Sequence, residues 1–481
     1  MTGTNLTGPT LTEQTLRALA EGIRTRAVSA EEVVQAHLER IDELNPTLNA
    51  VVSLRADEAL AEARELDALT AKGISLGPLH GIPIAVKDLM DVRGVRTTSG
   101  SRIYVDHVAS ADSVIVAKMR EAGAVFVGKT NVPEFGVGSH TFNEVFGVTR
   151  NPYDTSRSAG GSSGGAAAAV TSGMLPVADG SDLGGSIRNP ASFGNLVGLR
   201  PTAGRVASAR PGNAYDPGSV LGPLARNVSD AATLLGVVSG PERRAPLSID
   251  EDPRQFFALT PRPFAGARIA YSADLGGLPL DPEVRAATEA AARLAADLGA
   301  EVVPVDIDLS EADLVFETFR SLEFLDGHGA EAAEHPELVK QTLTDDIAWA
   351  SGFDVALIAR AAGARTRIFR RFQALFEDFD MLLAPCVQVL PFPVEWEYPT
   401  EIDGVAMDKY YAWQRSCSRI TASAMPALAM PMTFSSTGLP IGVQFVGPYR
   451  ADKALLEFGL TWEAAVADVM RRRPSLTTTA I

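Results

Sequence analysis

Cysteine is scarce in this chain: Cys386 and Cys417 are the only two among 481 residues. Two thiols cannot supply a disulfide framework or a cysteine-based zinc site. Both are expected as core thiols in a reducing compartment. The six histidines contain no His-Glu-x-x-His and no paired Cys/His spacing, so the sequence carries no metal motif. Its apolar runs fall short of the ~18 residues that a membrane span needs. Residues Met1 to Leu6 lack the basic segment and apolar run of a secretory signal. Basic residues number 43 against 59 acidic ones, a net charge of −16. Nucleic acids and anionic membranes call for the opposite sign. These absences predict a cytoplasmic protein that binds neither nucleic acid nor membrane; assembly of identical copies stays open.

Lysine is scarce as well, with seven among the 43 basic residues. One of them, Lys87, lies in the apolar, strand-like run Gly81-Ile82-Pro83-Ile84-Ala85-Val86-Lys87-Asp88. Burial can lower the pKa of a lysine toward neutrality, which it cannot do for arginine. Two glycine-rich segments complement it. Gly160-Gly161-Ser162-Ser163-Gly164-Gly165 is followed, 24 positions after Ser162, by Ser186 in Asp182-Leu183-Gly184-Gly185-Ser186-Ile187-Arg188. Glycine admits positive φ and removes the Cβ obstacle, so both segments can bring backbone close to a substrate. The combination predicts a Ser-Ser-Lys hydrolase.

With 46% hydrophobic and 21% charged residues, the chain reads as globular with a large core. Its length fits about three domains, although large α/β enzymes remain continuous. Ser29-Ala30-Glu31-Glu32 predicts a capping box that opens a helix through Leu44, ended by Asn45-Pro46. A second helix is expected over 56–68. From Gly77 onward, β-like runs alternate with helical ones. Strands are expected at 84–86, 124–127, 175–178, 268–271, 301–307, 381–383 and 442–446. Helices are expected at 112–121, 165–172 and 282–298. Such alternation predicts α/β layers. The stretch 309–376 is mostly helical in character.

Two motif matches fail on mechanism. Gly123 to Thr130 spells a Walker A loop, but its variable positions are β-branched and aromatic, and Pro133 falls where a helix should begin. Gly160-Gly161-Ser162-Ser163-Gly164 fits a nucleophile elbow, yet only His328 and His335 follow, in a polar helical stretch.

The ordered series of motifs resembles the amidase signature family. It runs through Gly81–Asp88, Gly128-Lys129-Thr130-Asn131 with Glu134-Phe135, Gly160–Gly165 and Gly180–Pro190. It continues through Gly198–Val206, Gly222-Pro223 with Arg226 and Asp230, and Gly438–Gln444. The resemblance implies a single large α/β domain over 76–481, with a central mixed sheet covered by helices on both sides. A helical segment over 1–75 would precede it, and 309–376 would be a variable region near the substrate pocket. It also implies that Ser186 is the nucleophile, Ser162 a bridging serine on a cis peptide bond, and Lys87 the terminal base. Leu183, Gly184, Gly185 and Ser186 would offer N–H groups to the oxyanion. Ser181, Asp182, Arg188, Gly160 and Gly161 would support them. Ser181 stands where many members carry threonine, and its hydroxyl can still serve the relay.

A serine hydroxyl needs a neighbour to remove its proton. Lysine can do so only when neutral, which at pH 7 requires lowering a pKa of ~10.4 by about three units, roughly 4 kcal/mol. The implied activity is hydrolysis of carboxamide C–N bonds through a seryl acyl-enzyme, with no cofactor or metal. A small-molecule amide with hydrophobic or aryl groups is the expected substrate, and esters and carbamates fall within the same chemistry. The pocket is expected to use Tyr215, Phe316, Phe319, Trp349 and Trp413. Two rivals stand beside this reading: the A subunit of a glutamine-dependent tRNA amidotransferase, and a catalytically silent interaction protein on the same scaffold.

Overall fold

The computed structural model describes residues 10–209 and 212–476. The signal-peptide reading of residues 1–6 lies outside the described residues. An eight-stranded mixed sheet forms the centre. In spatial order its strands are Glu301–Pro304, Arg268–Tyr271, Met381–Pro385, Pro440–Val446, Ala427–Phe434, Val197–Arg200, Val220–Ala225 and Val177–Asp182. The strand Arg268–Tyr271 pairs in parallel with both of its neighbours, and the remaining pairs are antiparallel. The expected single α/β domain with a mixed sheet is the observed architecture.

A smaller sheet joins Val51–Val52, Val125–Thr130 and Pro83–Lys87. Its parallel pair aligns Lys87 with Thr130, and every residue of both strands is buried. The Walker-like letters therefore lie in a β-strand, where the backbone N–H groups serve the ladder rather than a phosphate. The two sheets are linked through a side chain: Asp179 Oδ1, on the edge strand of the large sheet, accepts the Lys87 backbone N–H at 3.1 Å.

Local expectations shift in instructive ways. The capping box at Ser29 and Glu32 is present, but the helix spans Ala30–Leu48 with Pro46 inside its last turns. Asn45 does not end it; its Oδ1 accepts the N–H groups of Ala50 and Val51, both at 2.8 Å. The stop is Asn49, in the left-handed region at φ 49°. The strand expected over 175–178 runs instead over Val177–Asp182, into polar residues whose letters suggest a turn. The strand Ala427–Phe434 was not expected at all. Pro431 sits beside a register shift that accommodates a residue unable to donate to the ladder. Over 309–376 the chain forms helices Ala312–Glu334, Gln341–Ser351 and Val355–Asp378. Among the described residues, no single helix is long and apolar enough to cross a membrane.

Helices Leu16–Thr25, Ala30–Leu48 and Ala56–Ala71 bury Leu19, Ile23, Val34, Leu38 and Ala63 in the same apolar core as the sheets. Two histidines are buried in the fold. Burial pushes His37 and His140 down to about 4. His37 Nδ1–H donates to Val33 O at 2.8 Å, and His140 Nε2–H donates to Val394 O at 3.0 Å while Ser158 Oγ–H donates to its Nδ1 at 2.7 Å. These folded values lie below the unfolded ~6.5. The stabilisation from keeping each ring neutral is complete above about pH 6.5 and is lost as pH falls toward 4, about 2 kcal/mol per ring by pH 5. We expect both imidazole C2-proton resonances, assigned with His37→Asn and His140→Asn, to stay flat above pH 5. A midpoint near 6.5 for either would contradict the burial argument.

Candidate active site

Lys87 ends its strand with a fully buried side chain. Its Nζ lies 2.8 Å from each of three hydroxyl oxygens: Ser162 Oγ, Ser163 Oγ and Ser181 Oγ. Three segments distant in sequence supply this cluster. The small sheet presents the amine, the loop before helix Gly164–Thr171 presents two serines, and strand Val177–Asp182 presents the third. The Gly161–Ser162 peptide bond is cis. Glycine is required at 161 by close approach, because a Cβ there would stand 2.9 Å from the Ser139 carbonyl carbon and 3.0 Å from His140 N.

Sequence reasoning missed the part played by Ser163. Besides meeting Lys87, its Oγ accepts the Ser181 N–H at 3.3 Å, and its own N–H donates to Ser186 O at 3.1 Å. Ser163 thus ties the amine cluster to the main chain of Ser186. The adjacent hydroxyl in Gly161-Ser162-Ser163-Gly164 was the available signal, but spacing alone cannot say which of two neighbouring serines faces an amine.

Ser186 sits in the loop between strand Val177–Asp182 and helix Arg188–Phe193, 8% exposed. Asp182 organises that loop. Its carboxylate accepts the N–H of Gly185 at 2.9 Å and that of Ile187 at 3.2 Å, and it meets Arg188 Nη2 at 2.9 Å and Nε at 3.0 Å. Burial alone would raise the Asp182 carboxyl; Arg188 and Arg200 outweigh it and hold the group below the usual carboxylate range. Asp182 and Arg188, both expected in supporting roles, form a fully buried ion pair. One expectation needs correcting. The Gly185 N–H is committed to Asp182 and is not open to an oxyanion. Among the described residues, the N–H groups of Leu183, Gly184 and Ser186 meet no protein acceptor.

Two further buried charges lie behind Lys87. Lys129 Nζ donates to Met90 O and, at 2.9 Å, to Thr97 Oγ1, and it stands 3.6 Å from Asp88 Oδ1. Burial pushes Lys129 down and Asp88 up. Cys386 and Cys417 are both buried thiols, as expected; Cys417 Sγ–H donates to Cys386 O at 3.1 Å. Among the described residues, no three His, Cys, Asp or Glu side chains converge as metal ligands.

The expected pocket aromatics divide. Phe316 reaches the site: a Cβ on Gly184 would stand 2.8 Å from Phe316 Cζ. Phe319 lies nearby, lining a small cavity with Leu183 and Phe316, under the Arg365 guanidinium at 3.6 Å. Trp413 is 1% exposed, stacks on Phe193 and meets Phe392 edge to face in the core, so it offers no face to a ligand. Tyr215 points into solvent, 73% exposed, and Trp349 packs on Phe353 beneath Lys409. A cleft of about 550 Å³ opens at Leu89, Ser99, Phe135 and Phe324. Leu89 of its lining and Ser162 both lie against Gly136, where a Cβ would stand 2.8 Å from Leu89 Cδ1 and 3.6 Å from Ser162 Oγ. His328, one of the two histidines that an elbow-type triad could use, stacks instead on Phe135 with ring centroids 4.2 Å apart.

Serine hydroxyls gathered around a buried lysine recur in serine hydrolases that use an amine where others use histidine. The family model described as Amidase matches residues 32–456, and the chain belongs to that family of hydrolases acting on C–N bonds. It is 37% identical over 486 residues to the A subunit of the glutamyl-tRNA(Gln) amidotransferase of Acidothermus cellulolyticus, covering 95% of each chain. Against the corresponding protein of Synechococcus sp. strain CC9605 it is 35% identical, covering 96% of this chain and 98% of the relative. Among solved structures it is similar to a bacterial aryl acylamidase (TM-score 0.89, 30% identity, 96% and 99% of the two chains). It also resembles 6-aminohexanoate cyclic dimer hydrolase with bound substrate (0.86, 28%, 97% and 99%). The A subunit of the Thermotoga maritima amidotransferase matches at 0.76 with 28% identity, over 98% and 99% of the chains.

Asp182→Asn leaves Arg188 and Arg200 buried without their anion. Breaking such a pair costs about 3–5 kcal/mol. We expect a loss of that size in urea denaturation; a change below about 1 kcal/mol would show that Asp182 does not brace the loop.

Proposed function

We propose that the chain hydrolyses amides through a seryl acyl-enzyme formed on Ser186. The observation that carries this reading is the buried Lys87 amine, 2.8 Å from Ser162 Oγ, in a cluster tied through Ser163 to the main chain of Ser186. A neutral amine has two N–H groups to donate and one lone pair to accept. In the proposed resting state it donates to Ser163 and Ser181 and accepts the proton of Ser162. Ser186 Oγ then attacks the carbonyl carbon, its proton passes to Ser162, and the Ser162 proton passes to Lys87. The negative oxygen forms at the open N–H groups of Gly184 and Ser186, donors typically worth ~3–4 kcal/mol each to the transition state. When the C–N bond breaks, the nitrogen takes its proton back along the same path. Water, activated the same way, releases the acid.

The substrate we propose is an amide with an apolar or aryl acyl group, turned over by this chain alone. The backbone match to the aryl acylamidase supports this, as does the apolar wall of Phe135, Phe316, Phe324 and Leu183, of which Phe316 lies against Gly184. The charges near that wall are already engaged: Arg320 with Asp346 at 2.7 Å, and Glu134 with Ser101 Oγ–H at 2.7 Å and the Lys340 N–H at 2.8 Å. A free amino acid would need both an anion and a cation to receive it. The sequence relatives favour a second reading, the A subunit of a glutamine-dependent amidotransferase, which would release ammonia from glutamine for partner proteins.

We expect the purified chain to cleave p-nitroacetanilide and a fatty amide faster than glutamine, with Ser186→Ala and Lys87→Met each losing at least about a thousandfold in kcat. Glutaminase activity alone, rising on addition of the other amidotransferase components, would favour the second reading. Unchanged turnover in Ser186→Ala would reject the nucleophile.

A further inference from the structure

Strand Val177–Asp182 turns two polar side chains to one face, Asp179 and, two residues on, Ser181. Both meet Lys87. Ser181 Oγ lies 2.8 Å from its amine, and Asp179 Oδ1 accepts its main-chain N–H at 3.1 Å. Asp179 is 1% exposed, and its second oxygen, Oδ2, has no hydrogen-bond partner among the described residues. A bare carboxylate oxygen in that place is costly, and an uncharged acid group avoids burying the charge. Burial accordingly pushes the Asp179 carboxyl up, against the pull of the Lys87 N–H and of the cations on Lys129 and Lys87. The surrounding charges come from two strands. Strand Pro83–Lys87 and the turn after it bring Lys87, Asp88 and Asp91, and strand Val125–Thr130 brings Lys129, 3.6 Å from Asp88 Oδ1. Helix Gly164–Thr171 and strand Val220–Ala225, which also pack on Val177–Asp182, carry no charged residue. Helix Val228–Val238 carries Asp230, which is turned to the Leu16 N–H at 2.9 Å. Asp182 and its two guanidinium partners belong to the opposite face of the strand.

We propose that Asp179 is a positioning residue for the general base: its carboxyl and the Lys87 amine share one proton, and that sharing sets the lower pH limit of turnover. With the proton on Asp179, the pair is an acid beside a neutral amine, the form that can accept the Ser162 proton. With the proton on Lys87, the pair is a carboxylate beside an ammonium, and the lone pair that catalysis needs is occupied. The two forms hold the same number of protons. During the reaction Lys87 takes up the Ser162 proton while Asp179 keeps its own, and the ammonium beside an uncharged carboxyl returns that proton toward the leaving nitrogen. An anion beside an amine favours the ammonium, so each ionised Asp179 withdraws a molecule from turnover, and the two groups titrate as a unit. This rests on the seryl hydrolase reading, which gives Lys87 its task.

The test is the pH profile of kcat/KM for p-nitroacetanilide. The rate at which phenylmethylsulfonyl fluoride adds to the protein, read by intact mass, gives a second profile that needs no amide turnover. Asp179→Asn keeps an oxygen for the Lys87 N–H and removes the ionisable group, and Asp179→Ser does the same with a smaller side chain. In both variants we expect the acid limb of each profile to move about one pH unit lower, the effect of removing one neighbouring charge. A limb that stays within about 0.3 of wild type, or moves upward, overturns the inference even if rates fall, because a purely structural role slows the enzyme alike at every pH. Should neither variant fold, the double variant Lys87→Met with Asp179→Asn decides. Urea stability recovered there supports a carboxyl that answers to the amine; a double variant that also fails to fold reduces Asp179 to a main-chain brace and overturns the inference. Wild-type protein inert toward both probes overturns it as well. Limbs that stay put in Asp179→Asn while Lys87→Met and Ser186→Ala are inactive reject this inference alone, whereas turnover unchanged in Lys87→Met rejects the hydrolase reading with it.

Discussion

A lysine amine removed from water needs polar neighbours, and Lys87 finds three serine hydroxyls at equal distance. Apolar surroundings disfavour a buried cation, whereas hydroxyls can serve either protonation state by turning their own hydrogens. That adaptability is what the proposed reaction requires, since the amine must take up a proton and return it. A carboxylate in the place of any of these serines would favour the ammonium and oppose that cycle. Of the nearby buried carboxylates, Asp88 is turned toward Thr98 and Lys129, and Asp179, which accepts the Lys87 main-chain N–H, is itself pushed by burial toward its neutral form.

The neighbouring loop solves a different electrostatic problem. Asp182 gathers the N–H groups of Gly185 and Ile187 and two guanidinium groups, and so fixes the turn around Ser186 from beneath. Arg188 extends the bracing to Gln444 at 2.9 Å on a neighbouring strand and to Cys417 O at 3.1 Å on helix Arg415–Ser423. A charged network of this kind contributes little net stability over an apolar core of similar shape. Its value here is geometric: the bracing fixes the turn around Ser186, with the Gly185 N–H committed to Asp182.

Much of this was legible in the sequence because it depends on local rules. The capping box at Ser29, the glycine runs and the spacing from Ser162 to Ser186 all survive into the structure. The amine–hydroxyl meeting was legible because a lysine on a buried strand has few ways to be satisfied. The role of Ser163 and the commitment of Gly185 to Asp182 were not legible. Each is decided by which of several adjacent groups turns toward a distant segment. Strand Val177–Asp182 misled for a related reason: its Asp-Gly-Ser-Asp portion reads as a turn, yet it is buried because Asp179, Ser181 and Asp182 each find a polar partner. Among the aromatics, composition marked Trp413 and Phe316 alike. Only packing separates a ring stacked in the core from one set against the loop.

The partners of the Lys87 amine lie 75, 76 and 94 positions away along the chain, and Arg188 reaches 256 positions to Gln444. Contacts of such range form only after long loops have closed, and they are paid for in chain entropy before they give anything back. No contiguous fragment shorter than this span holds both the amine and its hydroxyls. The chemistry is therefore a property of the finished tertiary structure, and a nascent or nicked polypeptide carries a solvated, ordinary lysine rather than a half-built reactive centre.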